Sequence, residues 1–270
     1  MNNEVCRRND IAPDAPRLDP FARRILGREN WGDINRRETE LKSGSWEEAA
    51  FSWGKDILPH IPKQDMVLYK LHVRGFSMLD KIPEEEKGTF RGIERRLKYF
   101  KELGVTTLEL MPVYEFEEIF AQDPFQHEFF PKTKVNYWGY TTGNYFAPKA
   151  VYLGKGKDPR AFKQLVRSMH RKGLECILEF YFNGNCNPHY AVEALRFWAS
   201  EYHVDGFHLL GFPNLLLAAE DPFLKRTKLF AENWNDVMNR RPKQGYVTPG
   251  DGAVSVEEKN LAEYNMQFME

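Results

Sequence analysis

Several things are scarce in this chain. No stretch of about eighteen apolar residues occurs, and the N-terminal "MNNEVCRRND" lacks the apolar core of a secretory signal. No membrane span and no export signal are therefore expected, and a cytoplasmic location follows as the expectation. Net charge is nearly absent: 38 basic against 39 acidic residues leave a formal charge of -1. With no global field, neither nucleic acid nor an anionic membrane is expected as a partner. Cysteine is sparse, and Cys6, Cys176 and Cys186 neither pair off completely nor match a zinc-binding spacing, so a reduced compartment is the simpler expectation. A glycine-rich dinucleotide turn is also missing. "LGKGKD" at Leu153 to Asp158 has too few glycines and the wrong place in the pattern. No cofactor and no metal are expected.

Aromatic rings, in contrast, make up 14% of the residues, enough to fill a core and still leave faces for a flat ligand. Residues 1 to 64 are polar and proline-punctuated without a sustained period, and read as an extended arm or linker. From residue 65 to 270 the pattern alternates. "MVLYKLHVRGF", "VTTLELMPV", "LECILEFYF", "VDGFHLL" and "TKLFAENW" read as strands. Between them "FRGIERRLKYFKELG", "DPRAFKQLVRSMHRKG" and "PHYAVEALRFWASEY" read as helices, and "FPNLLLAAEDPFLKR" as a partly helical link. Apolar strands separated by amphipathic helices argue for a parallel sheet covered on both faces. An open doubly wound sheet and an eight-unit barrel both fit. The polar or aromatic residues that end the strands, among them His72, Glu109, Glu179, Asp205, His208, Glu232 and Trp234, favour the barrel, because barrel enzymes build their sites there.

Longer runs carry more. "LDPFARRILGRENWG", "LYKLHVRGFSMLD", "KGTFRGIERRLKYFKELGVTTLELMPVYEFEE" and "NYWGYTTGNYFAPKAVY" together resemble the α-amylase superfamily of glycoside hydrolases. The likeness is to its debranching branch of pullulanases, isoamylases and glycogen debranching enzymes, over roughly residues 18 to 235. It implies an α/β fold of the (β/α)8 TIM-barrel type and an α-glucan such as starch or glycogen as ligand. Five strand and helix units are read by Trp234, and "AVSVEEKNLAEYNMQFME" suits a helix on Leu261, Tyr264 and Phe268. The expected barrel is thus incomplete at about five to six units, as in a fragment, a truncated gene product or a chain whose sheet a second polypeptide completes.

The family's chemistry needs a carboxylate nucleophile and an acid about 5 to 5.5 Å apart. The resemblance places the nucleophile after the fourth strand in a pattern Gly-Phe-Arg-apolar-Asp. Gly206, Phe207 and Leu209 match, but His208 replaces the arginine and Leu210 the aspartate. "EFYFNG" supplies Glu179 and Asn183 at the third strand, with Gly184 in place of the family's histidine. "AENW" places Glu232 as the former proton donor beside Trp234. "NYWGY" places Tyr140 under the reacting sugar with Trp138 alongside, either as an exposed platform or as core. His208 reads as a packed histidine bonded to backbone, since an imidazole cannot reproduce the arginine fork. Asp205 is an odd number of residues from Leu210 and so faces away. Hydrolysis is expected to be lost or strongly impaired. An α-glucan binder, a debranching hydrolase completed in an unusual or partner-supplied way, and a non-catalytic interaction remnant remain as readings.

Overall fold

The computed structural model describes residues 18–33, 35, 41–44, 51–119, 135–155, 157–182, 186–232 and 261–264. Ten strands occur among them. A short antiparallel pair, β1 (Arg24–Leu26) and β2 (Lys42–Gly44), precedes the main sheet. That sheet holds β3 (Leu68–Leu71), β4 (Thr107–Leu110), β7 (Glu175–Tyr181), β8 (Gly206–Leu210), β9 (Lys228–Glu232) and β10 (Leu261–Tyr264). Their order is β10-β9-β8-β7-β4-β3, and every pairing is parallel. A second antiparallel pair, β5 (Tyr114–Phe116) and β6 (Gly143–Pro148), flanks the loop that follows β4.

Six helices fill the connections: α1 (Val73–Ser77), α2 (Phe90–Glu94), α3 (Leu97–Glu102), α4 (Ala161–His170), α5 (Pro188–Tyr202) and α6 (Leu215–Ala219). Local chemistry explains α5 well. Pro188 sits in the first turn, where no amide hydrogen is needed, and the Asn187 side chain accepts from the amides of His189 and Tyr190 at 2.9 and 3.3 Å. At its other end His203 turns left-handed at φ 53°, a conformation that ends a helix. The helix expected over residues 90 to 104 is instead two short helices broken at Arg95 and Arg96. The C-terminal helix expected through Leu261 and Tyr264 is not formed there: these residues are β10, paired to β9. An available strand edge outweighs a helical spacing of three apolar residues, because pairing context decides β structure more than local pattern does.

Strand parity sorts the side chains. Leu108, Leu110, Cys176, Leu178, Phe180, Phe207 and Leu209 point one way into a single large hydrophobic core beneath the helices. Lys70, Glu109, Glu179 and His208 take the alternate positions and face the inner side of the sheet. No helix among the described residues is long and apolar enough to cross a membrane. Cys176 is a buried free thiol and Cys186 is disulfide-bonded.

At the N-terminal end of the strands a second polar cluster ties residues 51–56 to the helices. His170 closes α4 with Nδ1 3.0 Å from the Asp56 carboxylate and Nε2 3.1 Å from Asp205 Oδ2. A neutral imidazole carries one N–H, so two carboxylates on its two nitrogens call for the imidazolium. Burial works against that charge, but the hydrogen bonds and charges of Asp205 and Asp56 outweigh it and hold the His170 pKa above its ordinary value. His203 joins through Nδ1, 2.9 Å from Asp56 Oδ2, with the Trp53 ring stacked on it at 3.8 Å. Asp205 also accepts from the Cys176 amide at 2.8 Å.

Candidate active site

At the C-terminal end, four adjacent strands deliver four charged or titratable groups to one place. Lys70 lies on β3, Glu109 on β4, Glu179 on β7 and His208 on β8, with Lys70 in register with Glu109 and Glu179 with His208. Lys70 donates to Glu179 Oε1 at 2.8 Å and stands 3.6 Å from Glu109 Oε1. His208 Nδ1 donates to Glu109 Oε1 at 2.8 Å and lies 3.8 Å from Glu179 Oε1. Both glutamates and the histidine are fully buried, whereas the Lys70 side chain is 33% exposed. Burial raises the Glu179 carboxyl above the usual carboxylate range despite the opposing pull of Lys70. Burial acts against the Lys70 ammonium, but its hydrogen bond and charge pairing with Glu179, reinforced by Glu109, outweigh it and hold its pKa above the ordinary lysine value.

Above this cluster runs the loop between β5 and β6. Tyr140 donates its hydroxyl to both oxygens of Glu179, at 3.2 and 3.3 Å. Burial and the neighbouring Glu179 charge push that hydroxyl up to about 12. Tyr140 is 37% exposed and Trp138 55% exposed. Both rings therefore present surface rather than core. Gly139 between them has φ +83°, and a Cβ there would sit 2.8 Å from the Phe116 ring. Only glycine fits that turn without displacement. The loop is pinned by Asn136, whose side chain donates to the Glu117 carbonyl at 3.1 Å and accepts from the Gly139 amide at 3.2 Å.

Leu210 is the last residue of β8 and half-buried. Gly211 follows with φ +61°, and any Cβ there would meet the Phe182 carbonyl oxygen at 2.3 Å. The strand thus leaves Leu210 in a tightly specified turn. Glu232 is the last residue of β9, opposite Tyr264; Asn183 and Trp234 lie outside the described residues. Asp205 belongs to the cluster at the other end of the strands, in keeping with its odd offset.

His208 corrects an expectation. It is packed, but its bond goes to the Glu109 carboxylate rather than to backbone. Lys70 was not anticipated as a site residue, and Glu109 was noticed only as a polar strand end. A lysine in the polar phase of "LYKLHV" was the available signal, but its partners lie 39 and 109 residues away. His72, also a strand-end residue, is accounted for differently. Its Nδ1 accepts from the Gly75 amide at 3.0 Å as the cap of α1, and burial lowers its pKa to about 4.

The catalytic domain of α-amylase matches residues 77–202 as a family. Curated relatives agree. Isoamylase 3 of Oryza sativa subsp. japonica is 28% identical over 81% of this chain and 36% of its own length. The matched residues make up a little under half of the chain, which is similar there to the α-amylase superfamily. A second relative, the glycogen operon protein GlgX homolog of Haemophilus influenzae, is 27% identical over 81% of this chain and 43% of its own length. Among solved structures, a type I pullulanase from Bacillus subtilis, complexed with maltose, superposes with a TM-score of 0.65 at 21% identity, over 93% of this chain and 41% of the other. That superposition confirms the (β/α)8-type fold expected for the chain. The chain spans 36% to 43% of the length of these two curated relatives.

Proposed function

We propose that this chain recognises α-glucan through the exposed rings of Trp138 and Tyr140 and does not hydrolyse it. The observation that carries the second half is Leu210 at the end of β8, a hydrocarbon where the resemblance puts the attacking carboxylate. A saturated side chain cannot form the glycosyl-enzyme bond that a retaining mechanism requires. Loss of such a group costs several orders of magnitude in rate. Nearby carboxylates do not replace it. Glu109 and Glu179 are fully buried and held by His208 and Lys70. Asp205 is engaged by His170, and Asp221 pairs with Arg196 and accepts from the amides of Phe223 and Leu224.

The first half is supported by the debranching relatives, by pullulanases solved with maltose and with maltotetraose, and by two ring faces open at the functional end of the strands. The Tyr140 hydroxyl is oriented by Glu179, which Lys70 in turn holds, so the platform is fixed before any sugar arrives. Titration calorimetry with maltooligosaccharides is expected to show binding, while pullulan incubated with the chain is expected to release no reducing ends. Reducing ends that disappear in Glu232→Gln would overturn the loss of hydrolysis. A flat calorimetric trace would overturn recognition.

A further inference from the structure

The buried cluster beneath the platform has more carboxylate than its cation can satisfy. Two glutamates face one ammonium, and that ammonium is attached to the one side chain of the four that reaches solvent. Glu109 Oε2 is buried and has no hydrogen-bond partner, although its side chain is fully enclosed. An enclosed carboxylate oxygen without a donor is costly, and the nearby Lys70 and His208 groups are both directed to the other oxygen, Glu109 Oε1.

Geometry gives this deficit a specific shape. One ligand atom each from Glu109, Glu179 and His208 lies within 4.8 Å of the others, with His208 Nδ1 2.8 Å from Glu109 Oε1 and 3.8 Å from Glu179 Oε1. Donors held about 2.0–2.1 Å from one tetrahedral ion are roughly 3.3–3.5 Å apart. The observed separations bracket that value. The three donors sit on adjacent parallel strands, rigid elements of the kind that hold ligand geometry without rearrangement.

We propose that Glu109, Glu179 and His208 bind a divalent transition-metal ion, Zn²⁺ by its donor set, and that the Lys70 ammonium stands in for the ion when none is bound. Two carboxylate oxygens and one imidazole nitrogen suit Zn²⁺, Mn²⁺ or Fe²⁺, whereas Ca²⁺ and Mg²⁺ select oxygen throughout. Binding through Nδ1 replaces the hydrogen bond to Glu109, and that proton leaves or moves to the other ring nitrogen. Lys70 withdraws toward solvent along the exposed part of its own side chain. The inference departs from the sequence-based expectation of no metal, and it does not depend on glucan recognition.

The test uses the full chain, stripped with a chelator and titrated with Co²⁺ followed by Zn²⁺. One saturable equivalent of Co²⁺ per chain is expected, with visible absorption of nitrogen and oxygen coordination that Zn²⁺ abolishes. Glu109→Gln and His208→Gln are expected to lose that equivalent while keeping the circular dichroism of the parent. Lys70→Met removes the competing charge and is expected to tighten binding by about tenfold, a gain that a purely structural ion pair would not produce. If either ligand variant fails to fold, the parent chain decides alone, through a melting temperature that rises with Zn²⁺ concentration as linkage requires. Absence of a saturable equivalent, an equivalent that survives both ligand substitutions, or unchanged affinity in Lys70→Met would each overturn the proposal.

Discussion

The two ends of the central strands carry clusters of similar composition and different design. Each holds two buried carboxylates, a buried histidine and one further part-exposed side chain, Lys70 at one end and His203 at the other. At the N-terminal end the imidazole of His170 is inserted between Asp56 and Asp205, one on each nitrogen, so the acids are kept apart by the ring that neutralises them. At the C-terminal end Glu109 and Glu179 both approach the same nitrogen of His208, so their donors converge. Each cluster also leaves one carboxylate oxygen without a partner, Asp205 Oδ1 and Glu109 Oε2; unmet hydrogen bonding alone does not distinguish them. Direction does. Opposed donors make a clamp, and convergent donors make a cavity for charge, which follows the general division of barrels into a stabilising and a functional face.

The largest expected effect breaks the clamp. His170→Phe removes the ring shared by two buried aspartates, leaving Asp56 with His203 and Asp205 with the Cys176 amide, and is expected to cost about 3–5 kcal/mol in urea unfolding, the range for removing one partner of a buried ion pair. The next effect is in pH. Because the folded-state pKa of His170 is raised, its contribution is fully present below the unfolded value of about 6.5 and is lost as pH rises through the folded value. Stability is therefore expected to fall from neutral toward alkaline pH, and that component of the slope should vanish in His170→Phe. A parent chain more stable at pH 9 than at pH 6 would contradict the imidazolium assignment.

Smaller effects belong to the other end. Trp138→Ala removes an exposed ring and is expected to weaken maltooligosaccharide binding about tenfold, near 1.4 kcal/mol, with stability unchanged within about 0.5 kcal/mol. The smallest is Glu109→Gln, which replaces a buried charge by an amide of the same shape. Because the amide oxygen still accepts from His208, chemical denaturation should show a change within about 1 kcal/mol, the size of one hydrogen-bond exchange. A loss as large as that of His170→Phe would erase the distinction between the two clusters.

How much of this was legible in the sequence follows from the range of the forces involved. β4, β7 and β8 were readable because apolar runs bounded by glycine and polar residues reflect burial on both faces, and α5 because Asn187 and Pro188 announce its start locally. β10 was misread as helix, since its register depends on the free edge of β9 and not on its own four residues. β5 and β6 have no counterpart among the strands read from the sequence, because two short strands that pair across 26 intervening residues leave little periodicity. At the site, the resemblance named Glu179, now on β7, His208 and Leu210, now on β8, and Tyr140, now in the loop between β5 and β6. What it could not supply was the partner of each. The link from His208 to Glu109 spans 99 residues, and only the sheet register brings them together.

The stacking of Trp53 on His203 offers one more use. The emission of an indole depends on what lies against its face, so the segment around residues 51 to 56 carries its own optical gauge. Whether that segment stays seated could then be followed in real time, without any label, while a sugar is added at the opposite end of the strands.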